Sequence, residues 1–242
     1  MNDRGRRFGT VAAEYERGRP GYPAEAIAWL LEDVGPVVAD VGAGTGKLTD
    51  GLLATGREVV AIDPDAAMLA ALSTRLPAVR TEVGTAEQLP LPDASVDAVV
   101  LGQAWHWVDP AAASAQVARV LRPGGRLGLI WNIRDEAVGW VAALTGIMHG
   151  SPAERLVAEG RVRVGTPFAG LDERRFRWSR AMAPDDVVAM AASRSYVIAL
   201  PDHERAEVLT RIRELLATHP ATAGLATLDM PYETVAYRTT LP

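Results

Sequence analysis

Val37-Val38-Ala39-Asp40-Val41-Gly42-Ala43-Gly44-Thr45-Gly46-Lys47-Leu48-Thr49 constrains the fold more tightly than any other stretch of this 242-residue chain. A short β-branched apolar run enters three glycines at alternate positions, after which Leu48, Leu52 and Leu53 begin a helical period. A buried parallel strand, a tight turn and the start of a helix have this one-dimensional form. The glycines answer two demands: dihedrals that a Cβ resists, and close approach of a ligand to the backbone. The spacing predicts a nucleotide-type pocket above a parallel strand, faced by the start of a helix.

Two near misses narrow the ligand. A phosphate-cradling loop, G-x-x-x-x-G-K-[ST], would use Gly46-Lys47 but would need Gly at Val41 and a hydroxyl at Leu48. The dinucleotide fingerprint G-x-G-x-x-G/A fits Gly42 and Gly44 but finds Lys47 at its third small position. Asp40, at the strand end, would repel a pyrophosphate and would suit a ligand with a cationic amine. The run D-x-G-x-G-x-G, from Asp40 to Gly46, resembles motif I of the class I S-adenosylmethionine-dependent methyltransferases.

Further along, Glu58-Val59-Val60-Ala61-Ile62-Asp63 reads as a second buried strand ending in an acid, 21 residues past Gly42. A carboxylate there can accept hydrogen bonds from both ribose hydroxyls. Pro64-Asp65 starts the next helix, whose apolar side carries Met68, Leu69, Leu72 and Leu76. Strands are also expected at 79–83, 95–101 and 126–132. Between the last two, Asp109 reads as a helix N-cap with Pro110 at the first helical position, and Pro123-Gly124-Gly125 reads as the stop. This β-α alternation predicts a doubly wound sheet with its ligand at the strand carboxyl ends. Beyond Asp135 the pattern changes to helices at 137–148, 153–158, 184–192 and 202–218, with strands at 175–181 and 230–238.

The resemblance covers roughly the first half of the chain most strongly, and it implies a Rossmann-like, mostly parallel seven-stranded sheet. The last strand would be antiparallel, and a small helical cap would cover the acceptor at about 137–170. The chain is then one methyltransferase domain: an arm (1–36), a cofactor core (37–135), a cap or insertion (136–185) and C-terminal helices with the last strand (186–242). It implies S-adenosylmethionine as cofactor and S-adenosylhomocysteine as product. Motif residues Asp40, Gly42, Ala43, Gly44 and Gly46, with Asp63 and Pro64, would hold the cofactor. Tyr15 and Arg19, in an arm resembling that of small-molecule methyltransferases, could reach the methionine carboxylate; the alternative is an exposed arginine and a packed tyrosine. Met68 would meet the adenine or simply fill the core. Thr85-Ala86-Glu87 resembles the family's adenine-edge stretch, with Thr85 where many relatives carry Asp, so Glu87 or a main-chain carbonyl could take the amine. Gln103 and Trp105 are expected beside the cofactor.

Methyl transfer from a sulfonium is an in-line displacement, so the protein mainly aligns two partners. A base is needed only where the acceptor must lose a proton. His106 is the candidate, since its ordinary pKa lies near neutrality; it could instead hydrogen-bond a ribose or a backbone group. Gln103 to Asp109 with Trp131 to Asp135 resembles the branch containing trans-aconitate-type carboxyl methyltransferases. That suggests a small organic acceptor methylated at a carboxylate or hydroxyl oxygen, with a carboxylate held by Arg134 or Arg194, although Arg134 could equally pair with Asp135 or another neighbour.

Composition excludes other classes. There is no cysteine, and His106, His149, His203 and His219 show no H-x-x-x-H spacing, so neither disulfides nor a zinc site is expected. A net charge of −5 with a single lysine, Lys47, does not favour a nucleic-acid partner. Gln103-Ala104-Trp105-His106 also lacks the [DNS]-P-P-[YFW] of amino-methylating relatives. Arg4, Arg6 and Arg7 have no apolar stretch behind them, and no apolar run nears a membrane span, so a cytoplasmic monomer or homodimer is expected. A nucleic-acid or protein methyltransferase, or a binder of the cofactor without turnover, are the competing readings.

Overall fold

The computed structural model describes residues 20–148 and 152–242. Seven strands form one mixed sheet in the order β3-β2-β1-β4-β5-β7-β6, with the last strands antiparallel. The strands are β1 (Val37–Val41), β2 (Glu58–Asp63), β3 (Arg80–Val83), β4 (Val96–Gly102), β5 (Leu121–Arg134), β6 (Asp172–Met182) and β7 (Leu228–Thr240). β1 pairs in parallel with β2 (Val38 with Val59) and with β4 (Val38 with Ala98). The order therefore reverses direction between β1 and β4, where α/β folds open a crevice for ligands beyond the strand carboxyl ends.

The chain divides into two compact units. The first holds Gly21–Asn132, Leu156–Phe176 and Thr234–Pro242. Its helices are α1 (Ala24–Leu30), α2 (Lys47–Leu53), α3 (Ala66–Arg75) and α4 (Pro110–Val120). Its central strands are apolar on both faces because helices must cover both: Val38, Ala39, Ala61, Ala98 and Val100 are all buried. Ile27 and Leu30 of α1 and Leu48 and Leu52 of α2 cluster with Val38, Val100 and Ile130. Two helix starts follow the capping pattern. Asp65 accepts the Ala67 N–H at 2.8 Å, and Asp109 accepts those of Ala111 and Ala112 ahead of Pro110. Each cap contributes about 1 kcal/mol.

The second unit draws on Ile133–Arg155 and Arg177–Glu233. Helices α5 (Gly139–Met148), α7 (Pro184–Ala192) and α9 (Asp202–Thr218) surround its own apolar cluster; α6 (Pro152–Ala158) and the short α8 (Ser195–Ile198) complete the helices. Leu144, Met190, Ile212 and Met230 meet in that cluster, and Trp178 stacks on Tyr232 with ring centroids 4.9 Å apart. The chain passes between the units twice inside the 136–185 stretch, at Arg155–Leu156 within α6 and at Phe176–Arg177.

One expectation needs correction. Pro123-Gly124-Gly125 does not separate helix from strand; β5 already begins at Leu121, which pairs with Val96. The ladder then shifts register and resumes at Ala98 with Arg126, so Pro123 and the left-handed Gly124 form an irregularity inside the strand.

Candidate functional site

Three glycines build the floor of the crevice. Gly42, Gly44 and Gly46 have φ of 73°, 54° and 88°, the left-handed region that other residues occupy only at a cost. A Cβ at Gly42 would also stand 2.7 Å from the Ala104 Cβ, so the turns after β1 and β4 touch there. The turn is pinned from several sides. Gly42 and Ala43 donate to the Ile62 carbonyl at 2.8 and 3.0 Å, and Gly44 N–H donates to Asp63 Oδ2 at 2.8 Å. Arg75, reaching from α3, donates to the Thr45 and Gly46 carbonyls at 3.0 and 2.6 Å.

Asp40 lies beneath this turn and is fully buried. Thr49 Oγ1 donates to its Oδ2 at 2.6 Å, whereas Oδ1 has no hydrogen-bond partner among the described residues. Burial pushes its carboxyl pKa up to about 7; the Thr49 hydroxyl opposes that shift and the nearby Asp63 charge reinforces it. A buried carboxyl with an unmatched oxygen is a group prepared for a donor, preferably a cationic one. That donor set fits the amino-acid end of S-adenosylmethionine.

Asp63 ends β2, and is 8% exposed. Its Oδ1 accepts the Asp65 N–H and its Oδ2 the Gly44 N–H, both at 2.8 Å. Pro64 is exposed, and Met68, on the first turn of α3, is half-buried. After β3, Thr85 is exposed and bridges to Gln88, Ala86 is buried, and Glu87 Oε1 accepts the Asp109 N–H at 3.0 Å. The adenine-edge stretch is thus tied to the start of α4.

At the end of β4, Gln103 adopts φ 56°, a left-handed residue without the freedom of glycine. Its N–H donates to the Ile130 carbonyl and its Nε2 to the Asn132 carbonyl at 3.0 Å. Asn132 in turn donates from Nδ2 to the Gly21 carbonyl at 2.9 Å and accepts Thr234 Oγ1 at 2.6 Å. Trp105-His106-Trp107 forms a single 3-10 turn. Trp105 is buried and its indole N–H donates to the Arg163 carbonyl at 2.8 Å, so only its ring can face a ligand. His106 is half-buried and lies 4.7 Å from the Trp107 ring, which is 69% exposed.

Tyr15 and Arg19 lie outside the described residues. In the second unit, Arg134 donates to Glu154 Oε1 at 2.8 Å and to Thr145 Oγ1 at 3.4 Å, with its side chain 1% exposed. Of the alternatives weighed for Arg134, the geometry matches the one in which it pairs with a neighbour. Arg194 is buried and donates to the Met190 sulfur at 3.4 Å. Arg75 escaped the sequence reading, and Thr49, Asn132 and Tyr22 received no role of their own in it. Thr49 offers a local signal, a hydroxyl in the first turn of α2; Arg75 and Asn132 offer none, because the partners of the first lie 30 and 29 residues away and those of the second 111 and 102. Among the described residues there is no cluster of three metal-ligating side chains, and no helix long and apolar enough to cross a membrane.

Comparison with known proteins agrees with this geometry. Residues 39–129 match the family described as Methyltransferase domain. An uncharacterized methyltransferase of Mycobacterium tuberculosis is 50% identical over 236 residues, covering 97% of this chain and 95% of its own. One from Schizosaccharomyces pombe is 33% identical over 241 residues, covering 96% of each. A solved structure described as a type II methyltransferase from Anaeromyxobacter dehalogenans superposes with a TM-score of 0.65 at 26% identity, over 92% of this chain and 97% of its own. Half-identity across nearly the whole chain, together with the motif and the strand order, makes this protein a member of the class I S-adenosylmethionine-dependent methyltransferases.

Proposed function

We propose that this enzyme moves a methyl group from S-adenosylmethionine to an oxygen of a small organic acceptor, with the cofactor lying across the carboxyl ends of β2, β1 and β4. The observation that carries the reading is the buried, unmatched Oδ1 of Asp40 below three left-handed glycines at the switch point between β1 and β4. In its ionised form Asp40 receives the cofactor's ammonium, which repays the cost of burying the carboxylate. Gly42, Ala43, Gly44 and Gly46 let the backbone come close. Asp63 keeps a free lone pair on each oxygen after accepting its two backbone N–H groups, enough for two ribose hydroxyls. Pro64, Met68 and Ala86 give the adenine an apolar wall, and Thr85 with the second oxygen of Glu87 gives it a polar edge. Gln103 and the Trp105 ring close the β4 side, while Tyr15 and Arg19 take the methionine carboxylate.

The bound cofactor supplies an electrophilic methyl on a cationic sulfonium. The protein's part is to fix the line of approach and, for a hydroxyl acceptor, to take its proton, a role we assign to the His106 imidazole. A carboxylate acceptor needs no base but needs a cation. Arg134 is already neutralised by Glu154, which favours the hydroxyl version. A net charge of −5 argues for small molecules over nucleic acid.

The test uses S-adenosylmethionine with a labelled methyl, incubated with purified protein and a bacterial metabolite extract, and small-molecule, protein and RNA fractions read separately. Label in a small molecule, attached through oxygen, is the expected result. His106→Ala should then lower the transfer rate while leaving S-adenosylhomocysteine affinity nearly intact. Label confined to RNA or protein would overturn the acceptor class, and equal loss of rate and affinity in His106→Ala would overturn its role as base.

A further inference from the structure

An empty crevice that held Asp40 as a carboxylate would bury an anion against Thr49 alone, whose hydroxyl and backbone hydrogen-bond it, and would leave Oδ1 without a donor. A buried charge in that state is discharged by taking up a proton. The charged groups on the surrounding elements do not prevent this. Asp63, at the end of β2, is a second acid whose charge pushes Asp40 the same way, and its oxygens already accept the Gly44 and Asp65 N–H groups. Arg75 on α3 is engaged with Asp50 of α2 and with the Thr45 and Gly46 carbonyls. Lys47 opens α2, Glu58 and Asp97 stand at the far ends of β2 and β4, and His106 follows β4. Among all of these, Asp63 is the charge that acts on Asp40.

We infer that the empty enzyme keeps Asp40 protonated and that the cofactor's ammonium, arriving at the glycine turn above it, displaces that proton into water, so that each loading of the site releases one proton. This rests on the cofactor placement proposed above. The step starts from a neutral carboxyl and a free ammonium; it ends with a carboxylate, the same ammonium as its counter-charge, and a hydrated proton. Only the carboxyl O–H bond breaks, and its electron pair stays on Asp40. The carboxylate is thus formed only when the cation that offsets its burial is present. The direction of the pH dependence follows. The empty enzyme holds a proton that the complex lacks, so affinity rises with pH up to about 7, the value to which burial raises Asp40, and is level above it. A ligand that fills the adenine and ribose positions but has no ammonium leaves the proton in place.

The test is titration calorimetry of wild-type protein with S-adenosylhomocysteine, at pH 6 and pH 7.5, in buffers of different ionisation enthalpy. The buffer dependence of the heat counts protons directly and needs no knowledge of the acceptor. About one proton should leave per ligand bound at pH 6 and about a quarter of one at pH 7.5, with affinity about eightfold weaker at the lower pH. 5′-Methylthioadenosine, which shares the nucleoside and the sulfur but lacks the amino-acid end, should bind without proton release and equally at both pH values. Asp40→Asn should take up S-adenosylhomocysteine with no release, whereas His106→Ala should release as wild type does. Binding of S-adenosylhomocysteine with no proton released at pH 6 would overturn the inference and leave the cofactor placement standing. Release that persists in Asp40→Asn or with 5′-methylthioadenosine, or that vanishes in His106→Ala, would assign the proton to another group and overturn it equally. Wild-type protein that binds neither ligand would overturn the cofactor placement itself.

Discussion

Two buried ionic groups, one in each compact unit, are treated in opposite ways. In the helical unit Arg134 is shut away with Glu154, so the charge of each is answered by the other. In the nucleotide-type unit Asp40 is just as deeply buried, but Thr49 alone, through its hydroxyl and its backbone, hydrogen-bonds it, and its second oxygen meets nothing among the described residues. The first arrangement is closed: adding a ligand to it would only break it. The second is open, and its raised pKa records the cost of leaving it so. A fold that spends stability in one place and not in the other marks where an external cation is meant to complete the set.

The largest test of that contrast is pH. Asp40 is protonated in the folded state up to about pH 7, whereas its unfolded counterpart ionises near 3.8. Between those values the folded state binds more protons, so its stability falls as pH rises and levels off above about 7. Denaturant titrations from pH 4 to 8 should show wild type losing about 4 kcal/mol relative to Asp40→Asn, at about 1.4 kcal/mol per pH unit. Parallel curves for the two proteins would show that Asp40 is not paying a burial cost at all. Next in size is Glu154→Gln, which strands the Arg134 charge: unfolding should cost about 3 kcal/mol less. S-adenosylhomocysteine affinity should be unaltered in that variant, and a matching loss of affinity would erase the distinction between a structural pair and a binding group. Smaller, and opposite in kind, is Gly42→Ala. Its left-handed φ and its approach to Ala104 should cost about 2 kcal/mol in S-adenosylhomocysteine binding, roughly thirtyfold. Gly56→Ala, also left-handed but with open space around it, serves as the control and should bind normally.

The same contrast explains what could be read from the sequence. At the crevice, geometry dictates residue type: three left-handed positions in a row of alternates leave almost no choice but glycine, and so the motif is visible in one dimension. Helices 184–192 and 202–218 were equally legible, because an apolar stripe at helical spacing needs no distant partner to declare itself. Pro123-Gly124 misled because a local break signal cannot register that Leu121 already pairs with Val96 across the sheet. Arg75 and Asn132 were silent for a related reason. Nothing in the residues around Arg75 says that its guanidinium caps two carbonyls of the glycine turn, and nothing around Asn132 points to Gly21 or Thr234. The helical unit's apolar cluster is consistent with many sequences, and for that reason the acceptor is not written in it.

Asn132 has a consequence for how the site comes into being. Its backbone carbonyl takes the Gln103 amide, its side-chain amide holds Gly21, and its side-chain oxygen is oriented by Thr234, in the middle of the last strand. A chain emerging from the ribosome exposes the glycine turn early, when β1, β2 and the following helix can already form from neighbouring contacts. The clamp on Gly21 reaches its final orientation only once β7, which carries Thr234, has taken its place beside β5. The crevice is therefore among the first features to be encoded and among the last to be finished, its completion waiting on the slowest kind of contact a sheet can make.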